Sequence, residues 1–172
     1  PYSFREPTAT DQAIAGHLAT LLETELGRNP ALDERVALQF GVGSLGNALM
    51  GALETVPFGS REVVYYGEVI QDGLLDLLDS GRLDTASAAS LALSTAGQER
   101  LFADIARYAE AVVLRPAALS NSPALLRPFG LIPVNSAPEA DLYRHVHSTH
   151  LAGPRLVTGL GRSRPLPPTP PL

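Results

Sequence analysis

Five short apolar runs set the limits on what this chain can fold into: VALQF (36–40), EVVYY (62–66), SLALS (90–94), AVVLR (111–115) and LIPVN (131–135). Runs of that length, rich in β-branched and aromatic residues, suit strands buried on both faces. The stretches between them carry helical spacing or turn signals. Strands alternating with helices predict an α/β fold with an open, largely parallel sheet flanked by helices. Such sheets bind ligands at the carboxyl ends of their strands. Chemistry is therefore expected in the residues that directly follow each run.

The helical stretches are legible in outline. TDQAIAGHLATLLETEL (10–26) reads as an amphipathic helix, with Thr10 or Asp11 as its cap and Gly27 as its stop. Ile14, Leu18, Leu21 and Leu22 share one stripe and are the expected buried face. Residues 70–79 form a short helix that starts at an Asp-Gly turn, and GQERLFADIARYAEA (97–111) forms another helical stretch. The chain ends in SRPLPPTPPL, whose five prolines in ten residues exclude helix and central strand. Residues 164–172 read as a Pro-rich disordered or polyproline tail, and no internal repeat is evident.

Composition removes several functions. The 172 residues are 45% hydrophobic and 18% charged, the balance of one globular domain. A net charge of −5 argues against nucleic acid as the main partner. The apolar runs are too short to cross a bilayer, so no membrane partner is expected. With no cysteine, thiolate nucleophiles and disulfides are excluded. All 13 basic residues are arginine, which excludes a Schiff-base or P-loop lysine.

Four stretches carry candidate chemistry, each with a plain structural reading beside it. GVGSLGNAL (41–49) follows a strand and opens a helix. It is either a tight turn or a place where a ligand meets bare backbone and a helix N-terminus. The G-x-G-x-x-G pattern also suits a dinucleotide, and Glu68 imitates the acid such a site wants at the end of the next strand. Glu68 is a solvated turn residue, a ribose ligand, or a nucleophile or general base. Asn121, between two serines and before a proline, is an Asx-type turn or cap, or an amide donor. HVHSTH (145–150) offers imidazoles at metal-like spacing, but no second ligand cluster is evident and no metal is expected. The nucleophile-elbow pattern G-x-S-x-G of serine hydrolases does not occur.

Five stretches in unbroken order resemble one family. LQFGVGSLGNALMGAL is similar to the form LQSGVGNIANAV, and YYGEVIQDGLLDLLDSGRL to YTEVIQDGMLDLLDSGKL. LRPAALSNSPALLRPFG is similar to LRPQEISNHPEVIRRLG, HVHSTHLAG to NVNSTHVMG, and VTGLGRS to NGIGGS. The chain thus resembles the acetyl-CoA hydrolase/transferase family of the succinyl-CoA:acetate CoA-transferase type. Residues 1–163 correspond to part of its C-terminal domain, with a CoA-transferase-like fold.

The resemblance implies an acyl-CoA:carboxylate CoA-transferase that works through a glutamyl-CoA thioester on Glu68. The amide of Asn121 would orient that glutamate or polarise its thioester. Coenzyme A would enter as acyl-CoA substrate, lined by Gly41, Val42, Gly43, Ser44 and Leu45. Pro138 and the loop of Thr158, Gly159, Gly161 and Arg162 would line the thioester pocket. Acetate or succinate is the carboxylate expected. Alternatives are an acetyl-CoA hydrolase, and a non-catalytic remnant or CoA-binding subunit that needs a separate N-terminal half. The family implies a further N-terminal domain, a homo-oligomer or pairing with that separate half, and a cytoplasmic location, or a mitochondrial one in a eukaryote.

Four positions depart from the family pattern. Gly67 replaces a threonine, which is expected to loosen the backbone beside Glu68. Arg144 replaces a glycine and His147 an asparagine. Arg162 replaces a loop glycine, and its side chain is expected to crowd the substrate carbonyl.

Overall fold

The structure, a computed structural model, describes residues 6–120, 122–137, 139–143, 145–147, 150–151 and 155–156. In chain order the first half comprises α1 (Ala9–Arg28), β1 (Arg35–Phe40), α2 (Ser44–Leu53), β2 (Glu62–Tyr66), β3 (Val69–Ile70), α3 (Asp72–Asp79), β4 (Thr85–Ala88) and β5 (Ser90–Leu91). There follow α4 (Thr95–Ala103), α5 (Ile105–Ala111), β6 (Val112–Leu114), α6 (Ala117–Ser120), α7 (Pro123–Leu126) and β7 (Ile132–Val134). Two-residue strands β8 (Glu139–Ala140) and β9 (Val146–His147) pair antiparallel, as do β10 (His150–Leu151) and β11 (Arg155–Leu156).

The main sheet has five strands in the order β6-β4-β2-β1-β7, all parallel. The sheet and its direction are as the alternation of short runs and helices predicts. Strands β1 and β2 lie inside the sheet, and β7 is one edge. That edge position is what lets β7 contain Pro133, which has no N–H to give to a neighbour. A separate short parallel pair joins β3 to β5 just beyond the ends of β2 and β4.

Strand pairing sorts the side chains into two faces. Val36 pairs with Val63, Leu38 with Tyr65, and Tyr65 with Ala86, so these residues share a face with Phe40 and Ala88. All belong to one buried cluster with Leu22 and Leu26 of α1, Leu49, Met50 and Leu53 of α2, Leu74, Leu75, Leu77 and Leu78 of α3, Leu101 of α4 and Tyr108 of α5. Burial of side chains this large is worth ~1.5–3 kcal/mol each, and this face holds the fold together. The opposite face carries Ala37, Gln39, Val64, Tyr66, Thr85 and Ser87. It meets the 115–129 segment: the Tyr66 hydroxyl donates to the Leu119 carbonyl at 3.2 Å, and its ring lies 5.3 Å from that of Phe129.

Several expectations shift by a few residues, each for a local reason. Helix α1 is capped by Thr8, not by Thr10 or Asp11. The Thr8 hydroxyl accepts from Asp11 N–H at 3.1 Å, while the Asp11 carboxylate accepts from Thr8 N–H at 2.9 Å. This is a reciprocal capping box. Its buried stripe is Ala15, Ala19, Leu22 and Leu26, whereas Ile14 and Leu21 are 41% and 53% exposed. Helix α1 packs against α2, and small alanines let the two backbones approach closely. The helix also runs past Gly27 and ends at Asn29, whose N–H bonds to the Glu25 carbonyl at 2.8 Å.

The third sheet strand is TASA (85–88), not SLALS, of which only Ser90 and Leu91 are extended. Ala86 and Ala88 are fully buried beneath the helices, and side chains that small leave no apolar signature in the sequence. The 97–111 stretch is two helices, broken at Asp104, whose side chain accepts from Arg107 N–H at 3.4 Å. The Pro-rich tail, 164–172, lies outside the described residues. No helix among the described residues is long and apolar enough to cross a membrane.

Candidate functional site

Because the five strands are parallel, their carboxyl ends share one edge of the sheet. Strand β1 runs out into Gly41, β2 into Gly67 and Glu68, β4 into Ala89 and Ser90, and β6 into Arg115. The glycine turn and Glu68 therefore come from the adjacent strands β1 and β2, and the segment that leads to Asn121 follows β6, one strand further along beyond β4. Asn121 itself lies outside the described residues, as do Pro138, Arg144, Thr158, Gly159, Gly161 and Arg162.

The turn after β1 needs glycine at two points, for different reasons. Gly43 has φ 123°, a left-handed backbone that side chains strongly disfavour. Gly46 sits in the first turn of α2 with the Gly41 carbonyl oxygen only 2.3 Å from where a Cβ would be. The chain doubles back on itself there, and a methyl group has no room. No side chain caps α2, since its N-cap is Gly43. Its leading N–H groups are thus not engaged by a capping side chain, the arrangement that favours an anionic or carbonyl ligand. Val42 is 57% exposed beside them.

Glu68 occupies the short link between β2 and β3 and is exposed. Within this chain the turn stands at the rim of the sheet, where solvent reaches it. The backbone around it is fixed. The Glu68 carbonyl accepts from Ala89 N–H at 2.9 Å and from Ser90 N–H at 3.1 Å. Gly67 N–H donates to the Ser87 carbonyl at 2.9 Å, and the Gly67 carbonyl accepts from Arg115 Nη2 at 3.0 Å. Glycine at 67 was expected to loosen this backbone. Instead Gly67 is buried and bonded at both its N–H and its carbonyl.

Arg115 is a residue whose importance the sequence did not reveal. Its guanidinium donates to the Gly67 carbonyl and to the Ser87 hydroxyl, and it lies 3.4 Å from the centre of the Tyr66 ring. Burial lowers its pKa from the usual arginine value, against the opposing effect of Tyr66. It ties β2, β4 and the start of the 115–120 segment together beside Glu68. Arg115→Ala is expected to cost ~1–3 kcal/mol, the sum of lost charged hydrogen bonds and ring contact, and to be read as a lower urea midpoint at unchanged slope.

Polar groups without partners gather at the same edge. Gln71, next to the glycine turn, is 1% exposed, and neither its amide nitrogen nor its amide oxygen has a partner among the described residues. The same is true of Gln39 Oε1, Arg115 Nε and Ser120 Oγ. A buried polar atom left unpaired costs ~1–3 kcal/mol, so each of these positions calls for a partner.

The histidine stretch behaves differently. His145 Nδ1 lies 2.7 Å from Asp141 Oδ2, and the backbone N–H of His145 donates to Asp141 Oδ1 at 2.9 Å. These bonds hold the Asp141 pKa below the usual carboxylate value. His147 is exposed in β9. Among the described residues no group of three or more His, Asp or Glu is placed to hold a metal ion.

Comparison with known proteins adds to this geometry. No family model matches the chain. An acetyl-CoA hydrolase of Neurospora crassa is 41% identical over 163 residues, which is 95% of this chain and 30% of that protein. A propanoyl-CoA:succinate CoA transferase of Escherichia coli is 36% identical over 152 residues, 88% of this chain and 31% of that protein. The chain thus spans about three tenths of the length of these curated relatives. Among solved structures, a 4-hydroxybutyrate CoA-transferase of Porphyromonas gingivalis superimposes with a TM-score of 0.59 at 19% identity, over 83% of this chain and 35% of that one. RipA of Yersinia pestis gives 0.59 at 19% identity, over 86% and 32%. Both share the fold.

Proposed function

Because the chain belongs, over the segment it spans, to the acetyl-CoA hydrolase and CoA-transferase family, we propose that it supplies the nucleophile of an acyl-CoA:carboxylate CoA transfer, and that the nucleophile is Glu68. The observation that carries this reading is the position of Glu68. It follows the inner strand β2, at the carboxyl edge of the sheet, next to a glycine turn with an uncapped helix behind it.

The steps balance without any oxidant or metal. A Glu68 carboxylate oxygen attacks the thioester carbonyl carbon of an acyl-CoA. The C–S bond breaks, CoA leaves as thiolate, and an acyl-glutamyl anhydride remains. The thiolate then attacks the glutamyl carbonyl carbon, and the acyl group departs as a free carboxylate. This leaves a glutamyl-CoA thioester. A second carboxylate, such as acetate or succinate, runs the two steps in reverse and carries the CoA away. Dividing the exchange in this way replaces one difficult displacement by easier ones. Gly41 to Leu45 meet the CoA thioester, and leading N–H groups of α2 suit the oxyanion that develops on its carbonyl. The amide of Asn121 donates to the glutamyl thioester.

Exposure of Glu68 favours a second outcome from the same intermediate. Water that reaches the glutamyl thioester releases free CoA and regenerates the carboxylate, which is hydrolysis. The two outcomes separate in one experiment: the chain is incubated with acetyl-CoA and isotopically labelled acetate. Transfer returns label to acetyl-CoA faster than free thiol appears. Hydrolysis releases thiol with little label returned. Neither label return nor thiol release above the rate without protein would contradict the proposal.

A further inference from the structure

The residue before Glu68 is glycine where the family pattern has threonine, and the structure gives a steric reason. A Cβ on Gly67 would lie 2.0 Å from the hydroxyl oxygen of Tyr65, 2.3 Å from its Cζ and 2.7 Å from its Cε1. Gly67 is not one of the positive-φ glycines, Gly43, Gly59, Gly81 and Gly130. Glycine is therefore required there for space and not for backbone angle. The tyrosine ring fills the volume that a threonine side chain would occupy.

That ring is placed firmly. Tyr65 is 2% exposed, and its ring packs 4.9 Å from that of Phe40. Its hydroxyl oxygen is 3.0 Å from the Phe40 carbonyl and 3.2 Å from the Val69 carbonyl, so its single proton is shared between them. Phe40 is the last residue before the glycine turn, and Val69 is the residue after Glu68. One buried hydroxyl thus ties the two loops that form the candidate site. Burial keeps it protonated, raising its pKa well above the usual tyrosine value. It therefore remains a donor throughout the neutral range.

We propose that Tyr65 is a positioning residue for Glu68: with Gly67 it forms a unit that fixes the Glu68 turn against the glycine turn. The inference rests on the reading of Glu68 as nucleophile only for its consequence in catalysis; the tether itself is a statement about structure. A displacement of about 1 Å between nucleophile and substrate costs on the order of a hundredfold in rate. Loss of the tether is therefore expected to slow acyl transfer far more than it lowers affinity.

Tyr65→Phe keeps the ring and removes the hydroxyl. Hydrogen exchange at the Ala89 and Ser90 amides, which bond to the Glu68 carbonyl, is expected to rise tenfold or more, with the α2 amides of Leu49 and Leu53 unchanged. The rate at which acetyl-CoA converts Glu68 to its CoA adduct is expected to fall at least tenfold, with little change in the half-saturating concentration. Unchanged exchange at Ala89 and Ser90 would overturn the inference. So would a full loss of rate protection spread evenly over the whole chain, which marks a general loss of stability. If the parent chain itself forms no adduct, the reading of Glu68 as nucleophile fails, and the exchange data alone still decide whether the tether exists. A second pair of variants tests the steric half. Gly67→Ala is expected to displace the ring and raise exchange at the same two amides, and to add little further rise in a Tyr65→Val background, which already lacks both the ring and its hydroxyl. Additive effects of the two changes would contradict a shared unit.

Discussion

Glu68→Gln is expected to fold as the parent does and to lose CoA transfer almost completely. The side chain is exposed, and the substitution preserves its shape, so the change in stability should fall within ~0.5 kcal/mol, as for most surface replacements. The backbone bonds that hold the turn, from Ala89, Ser90 and Arg115, do not involve the carboxylate. A carboxamide cannot form the anhydride or the glutamyl thioester, so the covalent route is closed. Loss of a covalent nucleophile lowers turnover by roughly a thousandfold or more. Thermal melting and the labelled-acetate exchange, measured side by side, check both halves. A variant that keeps a tenth of the parent rate would move the chemistry to another residue.

The second large effect is structural. Gly46→Ala puts a methyl group against a carbonyl oxygen 2.3 Å away, on backbone that no rotamer change can move. Helix propensity alone would favour alanine by ~1 kcal/mol. Overpacking against a fixed neighbour costs ~1–3 kcal/mol or more, so the clash wins and the glycine turn must shift. Gly51→Ala is the control on the same helix: nothing lies within 4 Å of its Cβ position, and Gly51 is exposed. There the alanine is expected to stabilise by ~0.5–1 kcal/mol. Urea midpoints should move in opposite directions for the two variants, and only Gly46→Ala should also lower the exchange rate.

Much of the sheet was readable from short apolar runs; β1 is buried on both faces, while β2 buries one face fully and the other in part, and both keep a run of apolar residues. VALQF and EVVYY mark β1 and β2 within a residue at each end. The strand TASA escaped because its buried positions are alanines, chosen by the helices packed over them and not by strand preference. The stripe of α1 was half legible for a related reason: Leu22 is buried and Leu18 packs against the core, but Ile14 and Leu21 point outward and the alanines Ala15 and Ala19 complete the buried face. In the site, the glycine turn and Glu68 were visible as residues, and spacing alone left both a dinucleotide and a thioester open. Order among five motifs carried the choice. Tyr65 and Arg115 were not legible, since a tyrosine in an apolar run looks like core and an arginine before a proline looks like surface. Their roles come from bonds to backbone carbonyls that belong to other elements.

The central claim is that Glu68 accepts CoA. Its most direct test is the intact mass of the chain after brief mixing with excess acetyl-CoA, followed by peptide mapping under acid conditions that preserve thioesters. A mass increase of one CoA less one water, on the peptide that contains Glu68 and absent from Glu68→Gln, is the predicted result. An unchanged mass for the parent chain, or an adduct that persists in Glu68→Gln, would contradict it.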